Sequence, residues 1–377
     1  MLPVTQILKY AISLGKDGGF LKKDIPRYVD NMPPVIVWNL TNHCNMTCPH
    51  CYASAKIRKP EDDLSLDQLI SILDKLSEFG VKIIILSGGE PLLRNDIFEI
   101  IQECNKRNIK THLSTNGSLI DADTAKKLKE SGIEYVGVSI DGEPEFNDNY
   151  RGLESAYEKA LTGLKNAKEF GMSTGLRMTL TKKNSDSLIK MIETAREHEI
   201  PRFYISHLVY GGRGKAYAVN DLEKQESKNI MNLVIEKSLE IIDSEENFNI
   251  ITGGNDADGV YVYQYCKENF AAQADDIWSL LKKRNGNSAA EKILNVDYKG
   301  NVHPDQFWQN ETLGNLLNNG LRDILQNKLI AQLKERTKYL KGKCKACDYV
   351  EICRGSHRER ALAAFNDIWA EDPACYI

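Results

Sequence analysis

No apolar run in these 377 residues is long enough to cross a bilayer. The longest, such as Ile83–Leu86, are strand-sized, whereas a spanning helix needs about 20 apolar residues. Neither sign of charge dominates: the net charge is -4 and the pI about 6.1. No polyanion-binding surface is indicated, and neither nucleic acid nor membrane is expected as a partner. A signal-peptide order of segments is also missing, because Lys9, Lys16, Lys22 and Lys23 interrupt the apolar residues near the N-terminus. The expected location is the cytoplasm. Thiols stay reduced there, so the nine cysteines read as metal ligands rather than disulfides. A hydrophobic content of 42% with 27% charged residues describes a globular protein with room for one large domain or two.

Seven of the nine cysteines fall into two groups. The first is Cys44-x3-Cys48-x2-Cys51, followed by Tyr52. Three thiolates on one short loop suit a [4Fe–4S] cluster and leave its fourth iron open, since such clusters normally take four. A zinc knuckle lacking one ligand, or three unrelated core thiols, would give the same pattern. The second group is Cys344-x2-Cys347-x5-Cys353-x21-Cys375. Four thiolates suit one complete cluster or a four-cysteine zinc site. Cys104 lies at helical spacing with Ile97, Ile100 and Ile101 and reads as a core thiol; Cys266 reads the same way by default.

Residues 1–33 form an amphipathic preface with Ile7, Leu8, Ile12 and Leu14, then a basic, proline-containing link that Pro33-Pro34 ends. From Val35 onward strands and helices alternate. Strands are expected at 35–40, 81–86, 110–114, 134–139, 173–180 and 202–206. Ser65 and Gln68 form a capping box for the first intervening helix, which Gly80 stops. Alternation of this kind implies parallel pairing through right-handed crossovers, in an open doubly wound sheet or a closed or partial barrel. Beyond 207 come a helix near 221–244, polar loops at 253–259 and 284–288, and a hairpin over 295–306 around Lys299-Gly300.

C-x3-C-x2-C before an aromatic residue resembles the radical S-adenosylmethionine enzymes. That resemblance implies a partial (β/α)6 TIM-like barrel. It also implies that Cys44, Cys48 and Cys51 hold a cluster whose open iron binds the amino and carboxylate groups of S-adenosylmethionine. Gly88, Gly89 and Glu90 correspond to the motif that contacts the cofactor's amino group. Ser114, Asn116, Ser139 and Asp141 correspond to polar shelves for its ribose and carboxylate. Arg177, a cation in mid-strand, and Arg151 are candidates to meet a carboxylate. Cys344, Cys347, Cys353 and Cys375 resemble the shortened auxiliary-cluster domain (SPASM/twitch-like). Its longer version has a Gly-x4-Cys unit where this chain has Gly300 to Asp305, so one auxiliary cluster is implied and two [4Fe–4S] clusters in all. The implied division is 1–33 extension, 34–220 barrel, 221–289 connection and 290–377 auxiliary-cluster domain.

A closer likeness lies in Val-Trp-Asn-Leu-Thr41, His207-Leu-Val-Tyr-Gly-Gly-Arg-Gly214, Asn255-Asp-Ala-Asp-Gly259, Gly-Asn-Val-His303-Pro-Asp-Gln-Phe-Trp308 and Trp369-Ala-Glu-Asp-Pro-Ala-Cys375. These resemble the tetrapyrrole branch, which contains the alternative-haem-pathway deacetylases and the NirJ enzymes of d-type haem synthesis. The implied substrate is an iron tetrapyrrole, 12,18-didecarboxysirohaem, losing acetate side chains or, in the NirJ reaction, propionate side chains. On this likeness Tyr210 belongs to the catalytic group, and His207 and His303 are candidates to approach the substrate iron. Arg213 and Lys215 are candidates for its carboxylates, and a ferredoxin or flavodoxin is the expected electron donor. A peptide maturase is the alternative of another class, for which the first 33 residues are too short to supply a winged-helix module. A plain electron carrier would leave the polar strand ends without purpose.

Overall fold

The computed structural model describes residues 1–14, 33–57 and 63–377. Eleven strands form one sheet: β1 (Leu2–Pro3), β2 (Val35–Asn39), β3 (Ile83–Ser87), β4 (Lys110–Thr115), β5 (Ile133–Ser139), β6 (Ser173–Leu180), β7 (Arg202–His207), β8 (Asn249–Gly253), β9 (Ile293–Val296), β10 (Asn301–His303) and β11 (Gly314–Asn315). The order is β1-β8-β7-β6-β5-β4-β3-β2-β9-β10-β11. Neighbours from β2 to β7 are all parallel, as the six-strand reading requires. Two further parallel strands extend this core, β8 beside β7 and β9 beside β2.

The helices between the strands follow from their apolar periods. Leu66–Phe79 starts at the Ser65/Gln68 capping box, ends at left-handed Gly80 and buries Leu69, Ile72, Leu73 and Leu76. Ile97–Lys106 buries Ile97, Ile100, Ile101 and Cys104, so Cys104 is a core thiol. Each such leucine is worth about 2–5 kcal/mol against alanine. On β6, Leu176, Met178 and Leu180 are buried, while the alternating positions Arg177 and Thr179 are only half-buried on the opposite face.

β8 is the strand that the sequence reading of 221–289 lacks. Asn249-Ile-Ile-Thr-Gly253 has two apolar residues between polar ends, so no period distinguishes it from a loop. It is a strand because β7 gives it a ladder on one side and β1 a short antiparallel one on the other. The preface helix, Val4–Leu14, then covers this end, burying Val4, Ile7, Leu8 and Ala11. Leu14, expected on the same face, ends the last turn exposed. The basic link of the preface lies outside the described residues. The hairpin expected over 295–306 is β9–β10, turning at Asp297–Gly300 and joined by β11. Among the described residues no helix is long and apolar enough to cross a membrane.

Because β2 to β7 run parallel, the cysteine loop and all the polar segments that follow these strands emerge at one edge of the sheet.

Candidate active site

The first cysteine loop leaves β2 and is strapped from several sides. At its base Cys44 N–H donates to Lys56 O (2.8 Å) and Lys56 N–H to Asn42 O (2.8 Å). Thr47 N–H reaches Arg151 O at 2.9 Å. From the segment after β7, Arg213 donates Nε to Cys48 O (2.9 Å), Nη1 to Ala55 O (2.6 Å) and its own N–H to Cys51 O (2.9 Å). Arg213, expected to bind substrate carboxylates, instead holds the loop through its carbonyls. Cys44, Met46 and Ala55 are buried together, with Cys48 and Cys51 packed against them.

Burial, with Glu90 second, pushes the Cys44 thiol up to about 12. Burial, opposed by Arg151, pushes Cys48 up to about 11. Cys44 also feels both other sulfurs, so the three lie within electrostatic reach of one another. Such thiols ionise only when a metal takes the proton's place. Among the described residues no group of three or more Cys, His, Asp or Glu side chains is placed to hold a metal ion.

Gly88-Gly89 brings the end of β3 against this loop. A Cβ at Gly89 would lie 2.1 Å from His43 O, and Gly88 has a φ of +144°. Gly89 N–H donates to Thr41 O and Glu90 N–H to His43 O, each at 2.7 Å. The turn's amides are thus occupied, and what it retains for an ammonium group is carbonyl oxygen. Glu90 is fully buried and receives Thr115 Oγ1 (2.7 Å), Asn116 N–H (2.8 Å) and Leu92 N–H (3.2 Å). Burial raises its pKa and these donors oppose the rise. Its carboxyl group ties β3 to β4.

The other strand-end residues divide into braces and free groups. Asn116 donates to Asn45 Oδ1 (2.8 Å) inside the cysteine loop and accepts from Ser118. Asp141 is fully buried between Arg151 Nη2 (2.5 Å), Thr179 N–H (2.8 Å) and His50 Nε2 (3.4 Å). Both are braces rather than open shelves. Arg177 is different: its Nη1 donates to Ser114 Oγ at 2.7 Å, and among the described residues no carboxylate pairs with it. Ser139 is half-buried and pairs with Arg177 in the ladder. Ser114, Ser139 and Arg177 therefore form the polar patch that remains available on the inner face.

His50 and Tyr52 carry more of this site than the sequence reading gave them. His50, between Cys48 and Cys51, stacks on Tyr150 at 5.0 Å and 10°. Tyr52 donates to Asn39 Oδ1 (3.2 Å), contacts Ser87 Oγ (3.0 Å) and meets Phe307 edge-on at 5.4 Å. The signal for His50 was its position inside the cysteine spacing.

His207 and His303 are each 3% exposed and walled in by protein. His207 Nε2 is 3.1 Å from Asp258, whose other oxygen receives Tyr376 O–H at 2.7 Å. Burial alone would lower the His207 pKa, but the Asp258 carboxylate outweighs it and raises it. His303 Nδ1 is 2.7 Å from Glu311 O, and its Nε2 is 3.4 Å from Asp297. His303 Nε2 has no hydrogen-bond partner among the described residues. Tyr210 O–H donates to Asp221 at 2.8 Å. Lys215 is exposed at the same loop.

In the C-terminal group, Cys344, Cys353 and Cys375 feel one another electrostatically, and burial pushes Cys344 and Cys353 up. Cys347 N–H reaches Cys344 O at 3.5 Å. Buried arginines surround them. Arg360 pairs with Asp372 at 2.8 and 2.7 Å, and Arg358 donates to Ile368 O and Ala370 O. Arg358 Nε and Nη2 are buried with no partner, and Arg358 lies in the field of Cys344 and Cys353. Arg151 Nε is likewise orphaned, in the field of Cys48. An orphaned buried donor costs about 1–3 kcal/mol or more. Anionic thiolate clusters beside these guanidinium groups would remove that cost, so both cysteine groups suit iron–sulfur clusters. Cys266 is fully buried on the helix Ala257–Asn269 and is a core thiol.

Residues 38–195 match the radical SAM superfamily, and residues 288–348 match an iron–sulfur cluster-binding domain. The chain is 37% identical to Fe-coproporphyrin III synthase of Methanosarcina barkeri, over 97% of this chain and 94% of that one. It is 38% identical to pre-heme d1 synthase of Dinoroseobacter shibae, over 93% and 88%. In fold it is similar to native anSMEcpe with bound AdoMet, with a TM-score of 0.71, 18% identity, and 91% and 94% of the two chains covered. The chain belongs to the radical S-adenosylmethionine enzymes, carries a C-terminal iron–sulfur cluster-binding domain, and falls in the haem-synthesis branch of that superfamily.

Proposed function

We propose that this enzyme removes the acetate side chains of two rings of 12,18-didecarboxysirohaem to give iron-coproporphyrin III. The observation that supports this is the near end-to-end likeness to an Fe-coproporphyrin III synthase. The likeness to a pre-heme d1 synthase is one percentage point higher in identity, 38% against 37%, but spans less of both chains, and removal of propionate side chains is the alternative. A PqqA peptide cyclase, of the peptide-maturing class, is similar at 26% identity.

Cys44, Cys48 and Cys51 would hold the first cluster, which together with S-adenosylmethionine would supply the radical chemistry for removing one hydrogen beside the side chain to be lost. The chain's own part is to position and to exclude. Arg177, a half-buried guanidinium held by Ser114 Oγ and the Tyr135 ring and with no carboxylate partner among the described residues, receives a carboxylate of cofactor or substrate. Lys215, exposed at the mouth, meets another carboxylate of the macrocycle. Arg213, Asn116 and Arg151 keep the cysteine loop rigid while the open iron site is used. His207, beside Asp258, and His303, whose Nε2 has no hydrogen-bond partner among the described residues, are the candidates to approach the substrate iron. A ferredoxin or flavodoxin supplies electrons.

The test is anaerobic incubation with 12,18-didecarboxysirohaem, reductant and S-adenosylmethionine, with mass analysis of the tetrapyrrole. The expected result is two successive losses of an acetate unit, with the singly shortened species early in the time course. Loss of propionate units instead moves the assignment to the alternative. An unchanged tetrapyrrole under active cleavage of S-adenosylmethionine removes the reading.

A further inference from the structure

Between the first cysteine loop and the C-terminal cysteines lies a buried group that the preceding account leaves without a task. Glu359 begins the helix Arg358–Phe365 and is 2% exposed. Its Oε1 receives only a long contact from Asn310 Nδ2 (3.5 Å), and its Oε2 is buried with no partner. Asp305 is 4% exposed and close enough to act electrostatically on Glu359. Asp305 Oδ1 accepts Phe307 N–H (2.9 Å) and Trp308 N–H (3.0 Å), while its Oδ2 lies 3.8 Å from His357 Nδ1. Lys215, on the loop after β7, acts on Glu359 with the opposite sign.

Phe307 joins this group to the first cysteine loop. Its ring meets His357 edge-on at 5.6 Å and Tyr52, next to Cys51, at 5.4 Å. Gly211 packs so closely on it that a Cβ there would lie 2.3 Å from Phe307 O. The carboxyl pair therefore stands beside the barrel mouth, reached from the barrel side by Lys215.

We propose that Glu359 is a catalytic acid, kept in its protonated form by the neighbouring Asp305 carboxylate and its dry surroundings, that delivers the proton completing side-chain removal. Burial, with Asp305 second and Lys215 opposing, pushes the Glu359 carboxyl up to about 8. Two adjacent buried carboxyl groups do not both ionise, and a neutral acid in an enzyme site is poised to donate. Burial, opposed by Asp305, lowers the His357 pKa.

The proposal rests on the acetate-removing reading. Hydrogen abstraction from the ring carbon next to the one bearing the acetate leaves a radical there. Scission of the bond to the side chain forms the ring double bond and releases a carboxymethyl radical. That radical becomes acetate by gaining one electron, from a low-potential one-electron reductant of the ferredoxin or flavodoxin class, and one proton, from Glu359. The Glu359 carboxylate then regains a proton from solvent.

Two measurements on the reconstituted full-length enzyme test this. The first is the infrared spectrum without substrate at neutral pH. The parent shows a protonated-carboxyl band that Glu359→Gln removes, and Asp305→Asn, which keeps the amide caps, lowers the pH at which the band titrates. A band unchanged in Glu359→Gln overturns the proposal. The second is turnover in D2O. The parent releases acetate carrying one solvent deuterium in its methyl group, and Glu359→Gln, isosteric with the neutral acid, yields at least tenfold less acetate per S-adenosylmethionine cleaved. Acetate without deuterium, or a yield in Glu359→Gln within twofold of the parent, overturns it. If the parent leaves the tetrapyrrole intact, the acetate-removing reading falls and the proton-donor role with it, whatever the infrared band shows.

Discussion

The two cysteine groups solve different problems with similar parts. The first has three thiols on a loop at the sheet edge, and its rigidity is borrowed: Arg213, Arg151 and Asn116 reach it from the ends of other strands. The second has four thiols near the C-terminus; Arg360–Asp372 and the Arg358 contacts with Ile368 O and Ala370 O stiffen it from within, and Arg360 also ties it to Leu208 O (2.9 Å) and Gly254 O (2.5 Å) after β7 and β8. Three ligands leave an iron to be used; four close a cluster, which then carries charge or holds shape. The contrast lies in where the guanidinium braces come from: those of the open site all arrive from other strands and their loops, whereas the closed site adds braces from its own segment.

The largest effect expected from breaking this contrast is on iron. The reconstituted parent should carry about eight irons, four for each site. Changing Cys44, Cys48 and Cys51 together to Ala should leave about half and abolish cleavage of S-adenosylmethionine, read by iron assay and 5′-deoxyadenosine release. Zinc in place of iron at the remaining cysteines would contradict the second cluster.

Arg360→Ala comes next. Arg360 and Asp372 are 0% and 1% exposed, and Asp372 also receives His357 N–H at 3.1 Å. Removing one partner strands a buried carboxylate, at about 3–5 kcal/mol. Thermal unfolding should shift down strongly, with the C-terminal cluster lost first as followed by its absorbance. An unchanged melting temperature would refute the bracing role.

Arg213→Ala should be milder and confined to the first site, because Cys48 O and Ala55 O lose their donor while the second group is untouched. Cleavage of S-adenosylmethionine should fall at least tenfold with the C-terminal iron retained. Equal loss from both sites would blur the contrast.

The smallest effect is a pH dependence. The His207 pKa is raised in the fold, so its contribution is full below the unfolded value of about 6.5 and fades as pH rises through the folded value. The Asp258 pKa is lowered, so its contribution is full above about 3.9 and fades as pH falls through the folded value. The stability difference between parent and His207→Asn should thus be widest on the acid side of neutrality, between those limits, and narrow above. Melting curves across pH that run parallel would dismiss the pair.

Much of this contrast was legible in the chain. The cysteine spacings, the six parallel strands and the β9–β10 hairpin follow from local patterns that need no partner to be read. β8 did not, since Asn249–Gly253 becomes a strand only between β7 and β1. Residue types at the strand ends were legible while their direction was not. Asp141, Asn116 and Arg213 look like ligand-binding groups in sequence, and their geometry turns them inward as braces. Arg177, with no carboxylate partner among the described residues, keeps its mid-strand charge beside Ser114 Oγ and the Tyr135 ring. Glu359 carried no motif; only the approach of Asp305, 54 positions earlier in the sequence, makes it distinctive.

The most direct test of one open and one closed cluster is electron paramagnetic resonance of the reduced enzyme during titration with S-adenosylmethionine. The account predicts two cluster signals of equal weight. Only one should change on adding S-adenosylmethionine, and that one should be missing from the Cys44, Cys48 and Cys51 triple variant. A response from the signal that survives in the triple variant, or from both signals together, would contradict it.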